Sequence, residues 1–364
     1  MKLNRVTALT ALAVTGALAL SGCASDASST ATQTSTISGQ TCQSGTLKAS
    51  GSTAQANAMA SWIKSYQSAC SNATIDYQAT GSGAGVTDFI NKQTAFAGSD
   101  SALSGTDKTN ADARCATGPA IDIPMVGGAI AVAYNVSGLT KLVLTPKLVA
   151  EIFSGQITKW NDPQIVAANP GATLPSATIA QLHRSEASGT TDNFTKYLTA
   201  TAPTVWTFKG GKSWTAPGGQ GAKGSDGVGA ALTSTPNSIG YIELSFALTN
   251  NLTTAWIDNG AGAVQATSAN AAKTISTATI KGTGNDLALS IDYKTATPDA
   301  YPVVLVTYEI ACQSGNDSST LSLLKGFLTY TSGDSGQAQL STSGYVPISG
   351  DLLTKVRSAV SSLS

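Results

Sequence analysis

The stretch LHRSEASGTT, residues 182–191, decides the fold because it joins a predicted strand to a predicted helix through a Ser-Gly-Thr turn. The apolar residues 179–182 favour a short strand, and residues 192–198 have the composition of a helix. The free backbone N–H groups of the turn then point out of a helix N-terminus, where they can bind an anion. Arg184 adds a forked, permanent positive charge beside them. Ordinary helix capping by Ser188 explains the same residues, so this segment alone does not establish an anion site.

Two further loops repeat this order of strand, Gly/Ser/Thr turn and helix. Gly51-Ser52-Thr53 follows a predicted strand at residues 46–49, and Gly81-Ser82-Gly83 follows one at residues 73–79. Strands that alternate with helices predict an α/β fold with largely parallel sheets. In such a fold, several helix N-termini can converge on one anion in the crevice beyond the carboxyl ends of the strands. Together the loops favour an anion site, although each alone is compatible with simple capping.

Asp100 ends a third predicted strand, residues 96–100, and its charge is informative about the anion. A carboxylate repels an anion unless a proton lies between the two. A phosphate that keeps a proton can donate it to Asp100, whereas fully ionised sulfate leaves two acceptors facing each other, a mismatch worth several kcal/mol. Asp100 therefore predicts selectivity for phosphate over sulfate. The alternative is a turn-forming aspartate at the end of a strand.

The overall composition is that of a globular chain without a basic surface. The chain has 364 residues, of which 41% are hydrophobic and 12% are charged, and this length is enough for two domains. Its formal charge is 0; removing Lys2 and Arg5 with the leader leaves 19 basic and 21 acidic residues. We therefore expect no nucleic-acid partner, and any bound anion must be held by local donors.

The N-terminus predicts export. Lys2 and Arg5 precede the apolar residues 6–20, a run with the length of a signal-peptide core and too short for a typical membrane span. Residues 1–22 are therefore predicted to be a signal peptide. The mature protein is expected to be extracytoplasmic.

The end of this leader also predicts lipid attachment. Leu20-Ser21-Gly22-Cys23 resembles the bacterial lipobox, which implies a lipoprotein signal peptide and a lipid on Cys23. The alternative is a plain cleavage site with an incidental cysteine. Residues 23–45 are rich in Ser and Thr and are predicted to form a tether. Two or more acyl chains, such as palmitate, would anchor the protein stably to the cell membrane.

The other cysteines of this exported chain favour two disulfides, for which there are three possible connectivities. They are Cys42, Cys70, Cys115 and Cys312. We predict the pairs Cys42–Cys70 and Cys115–Cys312. Cys42 precedes the first predicted strand and Cys70 ends the helix that leads into the second, so both should lie at the same end of a parallel sheet. No metal site is expected, since no two cysteines have zinc-like spacing and His183 is the only histidine.

Three other motifs point to different chemistry, and each fails on its context. GQGAKG, residues 219–224, matches G-x-G-x-x-G, but no convincing strand precedes it. GKS, residues 211–213, matches the end of a phosphate loop, but Trp206 occupies the place of the first glycine. A serine hydrolase using Ser188 and His183 lacks the G-x-S-x-G elbow and an orienting carboxylate. We therefore expect neither a catalytic centre nor a cofactor.

Taken in order, the motifs resemble those of the phosphate-binding lipoproteins of bacterial phosphate-specific ABC transporters. The resemblance extends from about residue 51 to residue 349 and rests on nine segments. They are GST (51–53), YQATGSG (77–83), FAGSD (96–100), IPMVGG (123–128), IFSGQITKWND (152–162), HRSEASGT (183–190), KGSDGV (223–228), IGY (239–241) and GYVP (344–347). The resemblance implies a type II periplasmic-binding-protein fold, in which two α/β lobes joined by hinge crossovers close over phosphate.

The same resemblance implies the phosphate ligands, which are hydroxyls, backbone N–H groups, one arginine and one aspartate. In this sequence they are Ser52, Thr53, Ala54, Ser82, Asp100, Arg184, Ser188, Gly189 and Thr190. Ala54 replaces a commonly aromatic residue and acts through its backbone N–H, while Asp100 accepts the phosphate proton. Glu186-Ala187 stands where the family usually has Asp-Gly. Glu186 is expected to pair with and orient Arg184, and its longer arm is expected to loosen Arg184 and weaken the affinity for phosphate.

Two lobes with the ligand between them follow from this resemblance. Residues 46–124 and 301–364 are predicted to form lobe I, and residues 125–300 to form lobe II. The expected function is capture of inorganic phosphate by a monomer, without chemistry on the ligand, and delivery to the permease and ATPase subunits of an ABC transporter. The alternative is a secreted phosphoesterase that uses the same anion cradle.

Overall fold

A computed structural model describes residues 35–115 and 117–364. The predicted signal peptide and the predicted lipid-bearing Cys23 lie outside the described residues. The helices are α1 (Ala56–Ala69), α2 (Ser82–Ile90), α3 (Gly105–Cys115), α4 (Pro146–Phe153), α5 (Pro163–Ala168), α6 (Gly189–Thr201), α7 (Gly224–Ser234), α8 (Leu244–Thr249), α9 (Ser268–Ile275), α10 (Leu321–Thr331), α11 (Asp334–Ala338) and α12 (Gly350–Ser361). A short 3-10 helix spans Ser341–Ser343. Within the described ranges, no helix has both the length and the apolar character needed to cross a bilayer.

The strands that position the site belong to one ten-stranded sheet. The strands of the whole structure are β1 (Thr36–Ile37), β2 (Gln40–Thr41), β3 (Gly45–Gly51), β4 (Ala73–Gln78), β5 (Phe96–Ser99), β6 (Ala120–Asn135), β7 (Val143–Leu144), β8 (Ala180–Arg184), β9 (Gln220–Ala222), β10 (Ser238–Glu243), β11 (Thr253–Thr254), β12 (Trp256–Asp258), β13 (Ala263–Val264), β14 (Thr279–Ile280), β15 (Leu289–Ser290), β16 (Val304–Cys312) and β17 (Tyr345–Pro347). The order in the large sheet is β4-β3-β5-β16-β6-β10-β8-β9, and β11 and β17 also pair with β6.

The predicted α/β fold is confirmed. Strand β3 runs parallel to β4 and β5, and β8 runs parallel to β9 and β10. The sheet as a whole is mixed, because β6 and β16 run antiparallel to each other and to the outer strands they pair with, β10 and β5 respectively. These two long strands are the crossovers between the two halves of the sheet. Helices pack against the parallel strands of each half.

Strand β6 carries the chain from one lobe to the other. Its residues 120–129 pair with β16, and its residues 130–135 pair with β10. Every residue of this strand except Asn135 is buried. Burial on both faces explains why the sequence shows a nearly continuous apolar run instead of an alternating pattern. We refer to the side with β3, β4, β5 and β16 as the first lobe and the side with β8, β9 and β10 as the second.

The helices of the first lobe are held by a cluster of buried aromatic side chains. In α1 the side chains of Met59, Trp62 and Tyr66 are buried at the three- and four-residue spacing of one helix face. The ring of Tyr66 meets that of Phe327 in α10 edge-on, with 5.5 Å between centroids. This packing fixes α1, and therefore the loop in front of it, relative to the sheet.

Both predicted disulfides are confirmed. Cys42 is bonded to Cys70 with 5.2 Å between their Cα atoms, and Cys115 is bonded to Cys312 with 5.3 Å between theirs. Cys42 lies just before β3, and Cys70 follows the last residue of α1, as the parallel arrangement requires. The second bond joins the end of α3 to the end of β16 and so closes a loop of much greater sequence length.

Two buried glutamates near the crossovers predict a pH-dependent stability. Burial raises the pKa of Glu243 and of Glu309 to about 8, and the negative charge of Asp100 adds to both shifts. Because these groups titrate near 4.5 when exposed, their neutral forms stabilise the fold at low pH, and this contribution is lost as the pH rises through 8. We expect the free energy of unfolding in urea to fall by about 2–3 kcal/mol per glutamate between pH 6 and pH 9.

The isosteric Glu309→Gln variant tests this dependence. Gln55 lies near enough to oppose the rise in the pKa of Glu309, but no hydrogen bond of normal geometry reaches either carboxyl oxygen among the described residues, so an amide fits without displacing one. Between pH 6 and pH 9, the free energy of unfolding of this variant should fall by about half as much as that of the wild type. A matched control is Asp334→Asn, at a side chain that is 95% exposed, which should keep the wild-type slope. Equal pH slopes for wild type and Glu309→Gln would contradict the assignment.

Candidate functional site

The loop between β3 and α1 forms the first wall of the site. Gly51 has a φ of +144°, a conformation that favours glycine, and Ser52 N–H donates to the carbonyl of Gly98 at 2.8 Å. This contact lays the loop against the end of β5. There the hydroxyl of Ser52 donates to Oδ1 of Asp100 and accepts from the N–H of Ala54 at 3.0 Å. The predicted loop residues therefore meet the predicted acceptor.

Asp100 is buried and held by several hydroxyl groups. Besides Ser52, Thr307 Oγ1 donates to Oδ1 at 2.9 Å, and Thr190 Oγ1 donates to Oδ2 at 3.2 Å. The Asp100 N–H donates to Ser82 Oγ at 3.2 Å. These contacts come from both lobes, so the carboxylate of Asp100 is fixed where the two lobes meet.

The electrostatic environment of Asp100 suits a proton acceptor. Burial raises the pKa of Asp100, while the hydrogen bonds from Ser52 and Thr307 and the charge of Arg184 oppose that effect. Burial outweighs these opposing effects, so the pKa of Asp100 lies above its usual value. A carboxylate with a raised pKa binds a shared proton more strongly than an exposed aspartate does.

Arg184 ends β8 and reaches from the second lobe into the first. The residue is 3% exposed. Its Nη2 donates to Thr53 Oγ1 at 2.7 Å, and its Nη1 donates to Thr190 Oγ1 at 3.3 Å. The guanidinium group and the Asp100 carboxylate therefore share the hydroxyl of Thr190, and the guanidinium group is almost fully buried.

Glu186 ties Arg184 to the start of a further helix. Its Oε1 accepts from Arg184 Nε at 2.8 Å, from Arg184 Nη2, and from the N–H of Gly224 at 3.0 Å. Burial opposes ionisation of Glu186, but the hydrogen bonds and charge of Arg184 outweigh it, so the pKa of Glu186 is lowered. The longer acid thus pairs the buried Arg184 with a partly buried carboxylate. The effect of Glu186 on the affinity for phosphate remains a prediction.

The N-terminus of α6 forms the wall that faces Asp100. Ser188 is the N-cap, and its hydroxyl accepts from Thr191 N–H at 3.3 Å, as simple capping predicts. A Cβ on Gly189 would lie 2.6 Å from Asp100 Cβ and 2.6 Å from Ser82 Oγ, so no larger residue fits there. Glycine at this position lets the helix start approach the end of β5.

A further wall, which was not predicted from the sequence, comes from the N-terminus of α7. Ser225 N–H donates to Thr53 Oγ1 at 3.1 Å, and the hydroxyls of the two residues are also 3.1 Å apart. Gly224 begins the helix with a φ of +72°. The signal was present in KGSDGV, residues 223–228, because a Gly-Ser turn there follows a strand. That strand, β9, has only three residues and lies in a glycine-rich section, which hid the pattern.

Thr307 is a second residue missing from the sequence-based set. It lies within the apolar strand β16, where a single threonine is an unremarkable β-branched residue. Its contact with Asp100 depends on how β16 packs beside β5, which no local pattern reveals.

The assembled site is rich in donors and has one principal acceptor. Hydroxyls, helix N-termini and one guanidinium group surround the Asp100 carboxylate, a set that suits a tetrahedral oxyanion that still carries a proton. In the part of the chain that the structure describes, no cluster of three or more His, Cys, Asp or Glu side chains could hold a metal ion.

Comparison with known proteins agrees with this geometry. Residues 36–335 match the family described as the PBP superfamily domain. The chain is 43% identical to the phosphate-binding protein PstS 3 of Mycobacterium tuberculosis and 44% identical to that of Mycobacterium leprae, with all of both chains covered in each case. The structure of a human phosphate binding apolipoprotein is similar, with a TM-score of 0.69 and 25% identity over 86% of this chain and 93% of that one. The chain therefore belongs to the PBP superfamily and, within it, to the family of PstS phosphate-binding proteins.

Proposed function

We propose that the protein captures inorganic phosphate in the cleft between its two lobes. The observation that carries this proposal is the buried Asp100, whose carboxylate lies among donors from both lobes. A protonated phosphate satisfies both the donors and this acceptor, whereas sulfate leaves the acceptor facing another acceptor. The names of the full-length relatives support the same ligand.

The ligand set follows from the walls of the cleft. The phosphate is bound by Ser52, Thr53, the N–H of Ala54, Ser82, Asp100, Arg184, Ser188, Gly189 and Thr190. Ser225 is added to this set, since its N–H and hydroxyl both meet Thr53. Glu186 acts through Arg184 and does not touch the ligand.

Lobe closure strengthens this binding. The predicted boundaries place residues 46–124 and 301–364 in one lobe and residues 125–300 in the other. Contacts such as that of Arg184 with Thr53 join the two. When the cleft closes, water leaves, and each hydrogen bond to the anion acts in a medium of lower dielectric constant.

The protein is an extracytoplasmic monomer that delivers the bound phosphate to an ABC transporter. The transporter consists of permease and ATPase subunits. The N-terminal lipobox pattern supports removal of residues 1–22 and lipid anchoring through Cys23 to the cell membrane. No chemistry on the ligand is involved.

Titration of the purified protein with phosphate and with sulfate, alongside an assay with a chromogenic phosphate ester, tests the function. We expect tight phosphate binding, weak sulfate binding and no ester turnover. Ester hydrolysis without tight phosphate binding would instead support a secreted phosphoesterase that uses the same cradle.

A further inference from the structure

Asn193 lies one helical turn into α6 and joins three distant parts of the chain. It is 4% exposed. Its Nδ2 donates to the main-chain carbonyl of Asp100 at 2.7 Å and to that of Gly189 at 2.8 Å. Its Oδ1 accepts from the hydroxyl of Tyr293 at 2.5 Å. The amide can therefore adopt only one orientation, since two acceptors face one end and a donor faces the other.

The contact with Asp100 crosses the cleft. Asp100 belongs to the first lobe and Asn193 to the second, and Gly189 makes their approach possible because a Cβ there would collide with Asp100. With Asn193 in place, the main-chain N–H, the main-chain carbonyl and both carboxylate oxygens of Asp100 are all hydrogen-bonded. Asn193 thus fixes the backbone of the residue that is proposed to accept the phosphate proton.

Tyr293 comes from an irregular section between β15 and β16, in which most neighbouring residues are exposed. Tyr293 itself is only 9% exposed. Burial raises the pKa of Tyr293 well above its usual value, and the charge of Asp192 adds to this, so the hydroxyl remains a donor at every physiological pH.

Strand β15 and the residues just before it, which lead into this section, are attached to the first lobe. The N–H of Leu287 donates to the carbonyl of Asp122 at 2.9 Å, and the N–H of Leu289 donates to the hydroxyl of Tyr308 at 3.1 Å. The chain from Leu287 to Tyr293 therefore connects the crossover strands β6 and β16 with α6, which it reaches through the hydrogen bond of Tyr293 to Asn193.

We propose that Asn193 and Tyr293 form a closure latch, a pair of positioning residues that hold the Asp100 backbone against α6 and thereby set the rate at which phosphate leaves. The proposal rests on the proposed phosphate-binding function. A contact made across the cleft stabilises the closed state, so its loss should speed opening and release and leave association nearly unchanged.

Tyr293→Phe removes only the hydroxyl that donates to Asn193. We expect the dissociation rate of radiolabelled phosphate, measured after dilution into unlabelled phosphate, to rise about tenfold, with the association rate changed less than about twofold. The matched control is Tyr330→Phe, which removes another buried tyrosine hydroxyl, one that accepts from Gln339 Nε2 at 2.6 Å within the first lobe. This control should lower stability without changing the dissociation rate.

The test is completed by Asn193→Ala and by the double variant Asn193→Ala/Tyr293→Phe. If one of the variants folds poorly, the others still measure the dissociation rate. The two changes should not be additive in dissociation rate, because each removes part of the same latch. Dissociation rates equal to that of Tyr330→Phe, or additive effects, would overturn the latch while leaving phosphate binding intact. If the wild-type protein itself binds no phosphate, the proposed function fails, and the latch fails with it.

Discussion

Arg184→Met is expected to lower the affinity for phosphate at least about 1000-fold, which corresponds to about 4 kcal/mol. The guanidinium group faces Thr53 and Thr190 from a buried position, and methionine fills its volume without charge or donors. The change also leaves Glu186 without its cationic partner, so the free energy of unfolding should fall by about 3 kcal/mol. Calorimetric titration with phosphate and urea denaturation measure the two effects.

The double variant Arg184→Met/Glu186→Gln separates binding from folding. Neutralising Glu186 removes the unpaired buried charge, so most of the lost stability should return, whereas phosphate affinity should stay low. Arg357→Met is the matched control, because Arg357 pairs with Asp334 on the surface and should change stability by less than about 1 kcal/mol. Near-normal phosphate affinity in Arg184→Met would remove Arg184 from the ligand set.

Asp100→Asn is expected to weaken phosphate binding and to relax the rejection of sulfate. The amide loses the negative charge that receives the phosphate proton, so phosphate affinity should fall by at least about tenfold. Its Nδ2 can donate to a fully ionised anion, so sulfate affinity should rise, and the ratio of the two affinities should change by about 100-fold. Titrations with both anions at one pH and ionic strength provide this ratio.

Asp192→Asn is the matched control for Asp100→Asn. Asp192 is also buried beside the cleft, where it accepts from Ser101 Oγ at 2.6 Å and pairs with Lys196, but it does not face the proposed ligand. This variant should keep the preference for phosphate, whatever its effect on affinity. A preference for phosphate that persists unchanged in Asp100→Asn would refute the role given to Asp100.

Much of the site was predictable from sequence because its walls are local structures. The turn at Gly51 and the start of α6 at Gly189 each need a residue without a Cβ, and Ser188 caps its helix through a contact only three residues away. Such requirements appear in the sequence as short Gly/Ser/Thr patterns after a strand. The α/β order and the disulfide at Cys42 follow from the same succession of elements.

The contacts between distant segments could not be read from any short pattern. Ser225 meets Thr53 across 172 positions of sequence, and Thr307 meets Asp100 across 207. Both residue types are common in ordinary helix starts and strands. Their roles arise only when β16 packs against β5 and when the two lobes face each other.

By itself, the sequence determined which loops can present an anion cradle, since helix capping and glycine backbone conformation are local properties. Only the tertiary structure decided which residues from other segments complete the anion site. Asn193 lies in a predicted helix and no motif marks Tyr293, yet they meet 100 positions apart and fix the backbone of Asp100. The physical reason is that a hydrogen bond between segments depends on strand register and lobe packing, which are set by the burial of the whole core.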